Sequence, residues 1–508
     1  MRRNLCAGTV RNYLTEAVGK LGAPDLPGRR GVAHGGGMVQ EGSAYDLVVL
    51  GCGAAGLSAA VAHAAAARAA DRTARIAVVE RARRDERGGA TRWTSAWLRI
   101  TEDRRLDPAF LARMHEVSGG LADLEYCRTL EREVTETLAF LERHGVELTY
   151  FKQPFANRNT GSGLGMPVRG GQGIVEELCG SLERTAGVEM LYETEAVRLT
   201  VSERGRIAGV TVRSRDGAAR TLTAAAGVVI ACGGFEGNGE MLTRYLGARA
   251  CDLPLIAPTL RHNTGDGVRM ALEVGAATSG QFDMFHGEPV DPRSSKPDAV
   301  VYAYPFGILV NARAERFYDE GKDSFDSTFE ELAFEIWAHQ GQRAYLIGDQ
   351  TMASIEPVQA IILTDQPPVT AATLRELAVA LGLEPRALER TVSEYNAAVG
   401  PGAFDPRTFD GKRALGLAPP RSNWAVPVER PPFIGYPLTC AITFTFGGLR
   451  TDTLARVVTP SGAAIPGLYA AGEVTGLYYH HYPAGTSVLR AATFGRIAGA
   501  HAARVRAR

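Results

Sequence analysis

Along this chain the apolar residues gather in short runs that end at glycine. The first, in "YDLVVLGCGAAGLSAA", predicts a buried strand from Asp46 to Leu50, a turn through Gly51, Gly53 and Gly56, and then an alanine-rich helix. A second apolar strand, "RIAVVE", closes on Glu80. Further on, "VEMLYETEAVRLTV" predicts a strand pair, "AAGVVIACGGFEGN" a buried strand closed by Gly233 and Gly234, and "IPGLYAAGEVTG" an apolar approach to Gly472 and Glu473. In "VVYAYPFG" the alternation predicts a strand with Tyr302 and Tyr304 on one face. Strands interleaved with helical segments in this way predict an α/β fold.

At 508 residues the chain exceeds the size at which one hydrophobic core stops growing, so two domains are expected. Lys plus Arg and Asp plus Glu each number 56, and a formal net charge of zero gives no support to nucleic acid or an anionic membrane as partner. A small-molecule ligand is the expectation. No apolar run approaches the roughly 20 residues of a membrane helix. The seven cysteines form no CxxC pair and no iron–sulfur spacing, which fits a reducing cytoplasm and implies no metal centre. Residues 1–43 are basic and glycine-rich without the apolar centre of a signal peptide, so a disordered tail and a cytoplasmic location are expected.

The first glycine cluster carries a specific physical demand. Gly51 permits a tight turn, Gly53 lets the backbone approach a pyrophosphate, and Gly56 allows close helix–strand packing, with the helix N-terminus facing the phosphates. Glu80 ends the second strand, where a carboxylate accepts hydrogen bonds from ribose hydroxyls. The turn "RGGATRWTSAW" then places Gly88, Gly89 and Thr91 where nicotinamide enzymes have no such element, which predicts FAD. The backbone near Val197 would meet the adenine, and Gly233, Gly234, Gly472 and Glu473 close the same site. No second glycine fingerprint follows a strand, so no NAD(P)H domain is expected.

Together with "GILVNARAERFYDEG", "ITFTFGGL" and "FGRIAGAHAA", these motifs keep the order of the fumarate reductase and succinate dehydrogenase flavoprotein superfamily. The resemblance is greatest to its tricarballylate dehydrogenases, with a Tyr-Pro-x-Gly loop similar to that of the ketosteroid Δ1-dehydrogenases. It implies a Rossmann-like FAD-binding domain at 44–280 and 444–508, split by an inserted α+β capping domain at 281–443 that holds the substrate over the flavin. It also implies cofactor contacts at Ala55, Arg81, Gly265, Asp266, Gly485, Ser487 and Val488. The flavin is expected to be non-covalent, because "GGATRWTSAW" lacks the histidine that tethers it in some relatives.

The departures bear on the reaction. Set against the fumarate reductases, the substrate arginine falls on Tyr482, a substrate histidine on Phe444, and the proton-donating arginine on Ser324. His286 and Arg316 survive. Tyrosine hydrogen-bonds a carbonyl or moves a proton, but it does not neutralise a carboxylate as arginine does. Tyr482, His286, Arg316 and Tyr318 are therefore the candidate catalytic residues, while packing is the stronger reading for Tyr478 and Tyr479, and at most one of His480 and His481 is expected to face the flavin. Arg490 is open between substrate, flavin and a structural ion pair. The implied activity is FAD-dependent interconversion of a C–C single and double bond next to a carbonyl or carboxyl group, with desaturation favoured. The alternatives are an enoate- or fumarate-type reductase fed by an external donor, an oxygen-dependent enzyme like precorrin-3B synthase, and an electron-carrying flavoprotein that needs a partner. Oxygen, quinone and a redox protein are all open as electron acceptor.

Overall fold

The architecture is that of a computed structural model, which describes residues 43–157 and 163–505. The expected tail at 1–43 lies, but for its last residue, outside these. Strand Ala44–Leu50 forms, buried on both faces, because Leu47 and Val49 pack with helix Ala54–Arg68 while Val48 and Leu50 pack with strands Thr194–Val201 and Ile207–Ser214 and helix Asp266–Glu273. Ile76–Val79 and then Val188–Leu191 follow on one side of it in parallel, and Ala219–Ile230 and then Ala464–Ala470 on the other. Arg456–Val458 completes the edge antiparallel to Ala464–Ala470. The hairpin of Thr194–Val201 and Ile207–Ser214 extends from Ala219–Ile230. "VEMLYETEAVRLTV" does yield two strands, but they pair with different neighbours and not with each other.

Helix Ala54–Arg68 runs back over this sheet and packs on the last helix, Ser487–Arg504. The approach is close enough that a Cβ on Gly495 would stand 2.1 Å from the Ala55 carbonyl oxygen and one on Gly499 2.0 Å from that of Ala59. Glycine in "FGRIAGAHAA" thus ties the chain's end to its first helix.

In the chain between strands Ala219–Ile230 and Arg456–Val458 of this sheet lies a second, antiparallel one. It has the order Phe285–Val290, Phe433–Thr445, Ala344–Gly348, Ile308–Asn311, with Val369–Ala371 also on Phe433–Thr445. Helix Phe325–Ala338 covers one face, and Leu374–Leu381 and Pro385–Ala398 the other. The expected boundary at 443/444 falls inside the long strand Phe433–Thr445. Tyr302 and Tyr304 do not share a strand: Pro305 closes the run, and Tyr304–Phe306 is a 3-10 turn. No helix among the described residues is long and apolar enough to cross a membrane.

Candidate active site

Four parallel strands end at one cleft. Leu50 leads to Gly51, Val79 to Glu80, Ile230 to Ala231 and Gly233, and Ala470 to Gly472, and Gly51, Glu80, Ala231, Gly233 and Gly472 line it. Ligands bind at this edge of parallel sheets. The cleft holds about 2090 Å³ of space, its mouth included.

The nucleotide half is built from backbone. Gly51 has φ 104°, and a Cβ there would stand 2.3 Å from the Ala231 carbonyl oxygen, so the turn excludes every other residue. Gly53 caps helix Ala54–Arg68 without a side-chain hydrogen bond, and no acidic residue sits in the first turn. This open, positive helix end suits a pyrophosphate. Thr91 Oγ1 accepts the Ala54 N–H at 3.1 Å and fixes the 88–91 turn against it. Glu80 accepts the Cys52 N–H at 3.0 Å and the Ala82 N–H at 2.8 Å. A carboxylate has about four acceptor sites, so capacity for ribose hydroxyls remains. Burial pushes the Glu80 carboxyl up, and these backbone hydrogen bonds oppose the push. At the mouth, Arg81 pairs with Asp266 at 2.7 Å and with Glu195 at 3.1 Å. Glu236 is buried, with Asn263 donating to it at 2.6 Å, and burial pushes the carboxyls of Glu236 and Glu473 up. The Arg490 guanidinium lies 4.8 Å from the centroid of the Tyr478 ring and binds Thr475 through both terminal nitrogens, with Nε unpartnered. The glycine cradle, the uncapped helix end and the buried carboxylate fit FAD.

The other half of the cleft is aromatic and acidic. Trp97, Tyr302, Phe325, Phe329, Phe444 and Tyr482 line it together with His286, Glu288, Asp298 and Asp326. The buried His286 ring is held between two carboxylates, Nδ1 at 2.8 Å from Glu330 Oε2 and Nε2 at 3.1 Å from Glu288 Oε1. Burial alone would depress the imidazole, but hydrogen bonds and charge from Glu288 and Glu330 outweigh it and raise the ring to about 10. His286 is thus an imidazolium at neutral pH, already matched twice over. Burial, with the charge of Glu288, pushes Asp298 up to about 7, against a hydrogen bond from Ser95. Three non-glycine residues of the cleft, Ala96, Asp298 and Ala484, hold left-handed backbone at φ 55°, 59° and 61°. Such strain collects at functional sites.

The expected site residues divide. Gly51, Gly53, Ala55, Glu80, Arg81, Gly88, Gly89, Thr91, Gly233, Asp266, Gly472, Glu473, Gly485, Ser487, Val488, His286 and Tyr482 all come to the cleft wall. Gly56 and Gly234 stand just behind it, against the Gly51 carbonyl and the Glu473 carboxylate. Gly265 turns toward Met241, and Val197 lies off the wall, its carbonyl bound by Arg269 at 3.2 Å. Thr194 and Ala196 of the same strand take its place. Arg316 and Tyr318 are not in the cleft. Arg316 is locked to Glu320 at 2.6 Å, and Tyr318 is buried with its hydroxyl toward the Thr328 carbonyl at 3.4 Å. Arginine pairs with the nearest buried carboxylate, and Glu320, four residues on, was the visible signal. Tyr478 and Tyr479 pack, their hydroxyls bound to Thr486 Oγ1 and the Gly280 N–H. The reading of the chain missed Glu288, Asp298 and Glu330, which come from three separate segments.

Residues 46–489 match the FAD binding domain family, and the chain belongs to it; FAD is its cofactor. It is 30% identical over 338 residues to the NADH:acrylate oxidoreductase of Vibrio harveyi, covering 64% of this chain and 31% of that one. It is 31% identical over 359 residues to the 3-oxosteroid 1-dehydrogenase of Mycobacterium tuberculosis, covering 66% and 63%. The chain thus spans less than two thirds of either relative's length. A solved flavocytochrome c3 fumarate reductase in its open conformation shares the fold, with TM-score 0.73 and 22% identity over 99% of this chain and 82% of that one. The chain is thus similar in sequence to a 3-oxosteroid dehydrogenase and shares its fold with a fumarate reductase, and a special kinship with the tricarballylate dehydrogenases gains no support from these relatives.

Proposed function

We propose that the protein is an FAD-dependent dehydrogenase that introduces a C–C double bond next to the carbonyl of an uncharged, ring-bearing substrate. The observation that carries this reading is the charge of the substrate half. Among the described residues the cation that lines it, His286, is already matched by Glu288 and Glu330, and Asp298 and Asp326 add further carboxyl groups. A dicarboxylate would find repulsion where a fumarate reductase offers arginine, and the aromatic lining suits an apolar ketone. The 3-oxosteroid relative is named for such a substrate, whereas the acrylate relative is named for an anion.

FAD, bound without a covalent tether, supplies acceptance of a hydride from the substrate carbon. The chain's own residues position the substrate, exclude water and take the proton from the neighbouring carbon. Residues 281–443 serve as the cap over that half. Electrons then leave to oxygen, a quinone or a redox protein.

The test is anaerobic. FAD-loaded enzyme is mixed with cyclohexanone or 4-androstene-3,17-dione, and photoreduced enzyme with 2-cyclohexenone. Bleaching in the first case supports desaturation; reoxidation in the second without bleaching in the first favours an enone reductase. Bleaching by succinate, or reoxidation by fumarate, overturns the uncharged-substrate reading.

A further inference from the structure

The main cleft and a second pocket are joined by a continuous line of hydrogen-bonding groups. The Tyr302 hydroxyl, on the cleft wall, donates to Glu288 Oε2 at 2.8 Å. Glu288 Oε1 meets His286 Nε2 at 3.1 Å, and His286 Nδ1 meets Glu330 Oε2 at 2.8 Å. Glu330 in turn lines a separate polar pocket with Arg113, Lys322, Asp323, Glu331 and His481. Its other oxygen lies 4.0 Å from Nδ1 of His481, whose side chain is half exposed. All four groups of the line are buried, each less than a tenth exposed.

We infer that Tyr302, Glu288, His286 and Glu330 are a proton relay, with Tyr302 as the residue that meets the substrate and Glu330 as the exit to the outer pocket. The inference rests on the proposed desaturation, which must dispose of one proton from a water-poor site in every turnover. Buried charge is costly, and a histidine clamped between two carboxylates is a poor stability device, since an apolar trio of the same volume serves as well or better. A function for it is the simpler account of why the trio is there.

The proton balance closes. A proton leaving the substrate carbon bonds to the Tyr302 oxygen while the phenol's own proton moves to Glu288 Oε2. At the far end the imidazolium of His286 gives its Nδ1 proton to Glu330 Oε2. The four groups pass from a summed charge of −1 to zero; release of the proton from Glu330 to the outer pocket restores −1 with Glu288 protonated and His286 neutral on Nε2, and the resting ion pairs re-form when the ring turns to take the Glu288 proton. One proton has entered at Tyr302 and one has left at Glu330, as the loss of hydride and proton from adjacent carbons requires. Tyr302 is a catalytic residue in this scheme; Glu288, His286 and Glu330 act through it. Glu288 and its neighbours, with burial, hold the phenol well above its ordinary value, so it stays protonated at rest and works by exchange of one proton for another.

Two measurements test this on the FAD-loaded, full-length protein. Nitrogen-15 NMR of labelled histidine needs no substrate: at pH 8 both ring nitrogens of His286 should carry a proton, and a ring found singly protonated at pH 7 overturns the relay, because it has no Nδ1 proton to give. Stopped-flow bleaching by 4-androstene-3,17-dione and cyclohexanone, in H2O and in D2O, is the second. Tyr302→Phe should slow bleaching by about 10²- to 10³-fold. Glu330→Gln, with FAD content and melting temperature checked, should slow it less but change the solvent isotope effect and the pH profile. If the wild type bleaches and Glu330→Gln matches it in rate, isotope effect and pH profile, the relay is overturned and the desaturation stands. If the wild type is bleached by neither ketone, desaturation falls and the relay loses its donor with it.

Discussion

The phenol oxygen of Tyr482 accepts the backbone N–H of Ser487 at 2.9 Å, and that of Thr486 at 2.8 Å. It also donates to Ser487 Oγ at 3.1 Å. Helix Ser487–Arg504 has no side-chain cap from its own N-cap residue, Thr486, so a tyrosine four residues upstream does that work. The hydroxyl is on the cleft wall but its bonds point into the helix end. Tyr482→Phe should therefore lower stability by about 1 kcal/mol, in the range of a lost N-cap, with the melting temperature as readout. Flavin reduction should fall by a smaller factor than in Tyr302→Phe. Equal slowing in both variants would return the chief proton role to Tyr482.

Arg316, retained from the reductase pattern, is structural here. Its guanidinium and that of Arg421 converge on the buried Glu320, at 2.6 and 3.1 Å, and Glu320 also accepts the Leu309 N–H at 2.7 Å. Removing one member of a buried ion cluster strands the others, at a cost of about 3–5 kcal/mol. Glu320→Ala or Arg421→Ala should lower the denaturant midpoint sharply, whereas the folded fraction of each should bleach with substrate at the wild-type rate. A variant that keeps its midpoint and loses its rate would contradict this.

The clamp on His286 has a pH signature of definite sign. Its folded value, about 10, stands above the 6.5 of an unperturbed imidazole. The stabilisation is therefore complete below pH 6.5 and is lost as pH rises from there through 10. Glu330→Gln removes one of the carboxylates that hold the ring up, so the loss should still begin near pH 6.5 but be smaller and end at lower pH. Melting temperatures taken from pH 6 to 10 in both proteins check this, and parallel curves would show that Glu330 does not hold the ring charged.

How much of this was legible in the chain depends on sequence distance. The nucleotide half was readable because its parts are local: a strand, a glycine turn and a helix in "VVLGCGAAGLSAA" fix one another within a few residues. His286 was readable as a survivor of a family pattern, but its partners were not. Glu288 lies on the same strand two residues on, and Glu330 lies on a helix that only the antiparallel sheet brings beside it. Nothing in "FDSTFEELAFEIWA" separates Glu330 from Glu331, one buried and one on the surface, until the helix has a face to bury. The alternation at Tyr302 and Tyr304 reads as one strand, but Pro305 directly after them ends the run in a 3-10 turn, and proline is the stronger local signal.

Asp298 carries the last prediction. Its carboxyl lines the cleft, accepts from Ser95 Oγ at 3.2 Å and sits on left-handed backbone at φ 59°. Burial first, and then the charge of Glu288, raise it from 3.8 to about 7. An acid whose folded value is raised disfavours the folded state once ionised, so the protein should lose stability from this group as pH climbs from 3.8 through 7 and carry the full penalty above. Asn fits the left-handed backbone as well as Asp does and keeps an acceptor for Ser95, without the charge. Asp298→Asn should accordingly be more stable than the wild type at pH 8, by at most about 4 kcal/mol, and indistinguishable from it near pH 3.5. Urea midpoints at the two pH values measure the difference directly. If instead the variant is less stable at pH 8, the ionised carboxylate has a favourable partner in the fold, and the substrate half of the cleft is not the cation-poor chamber on which the uncharged-substrate reading depends.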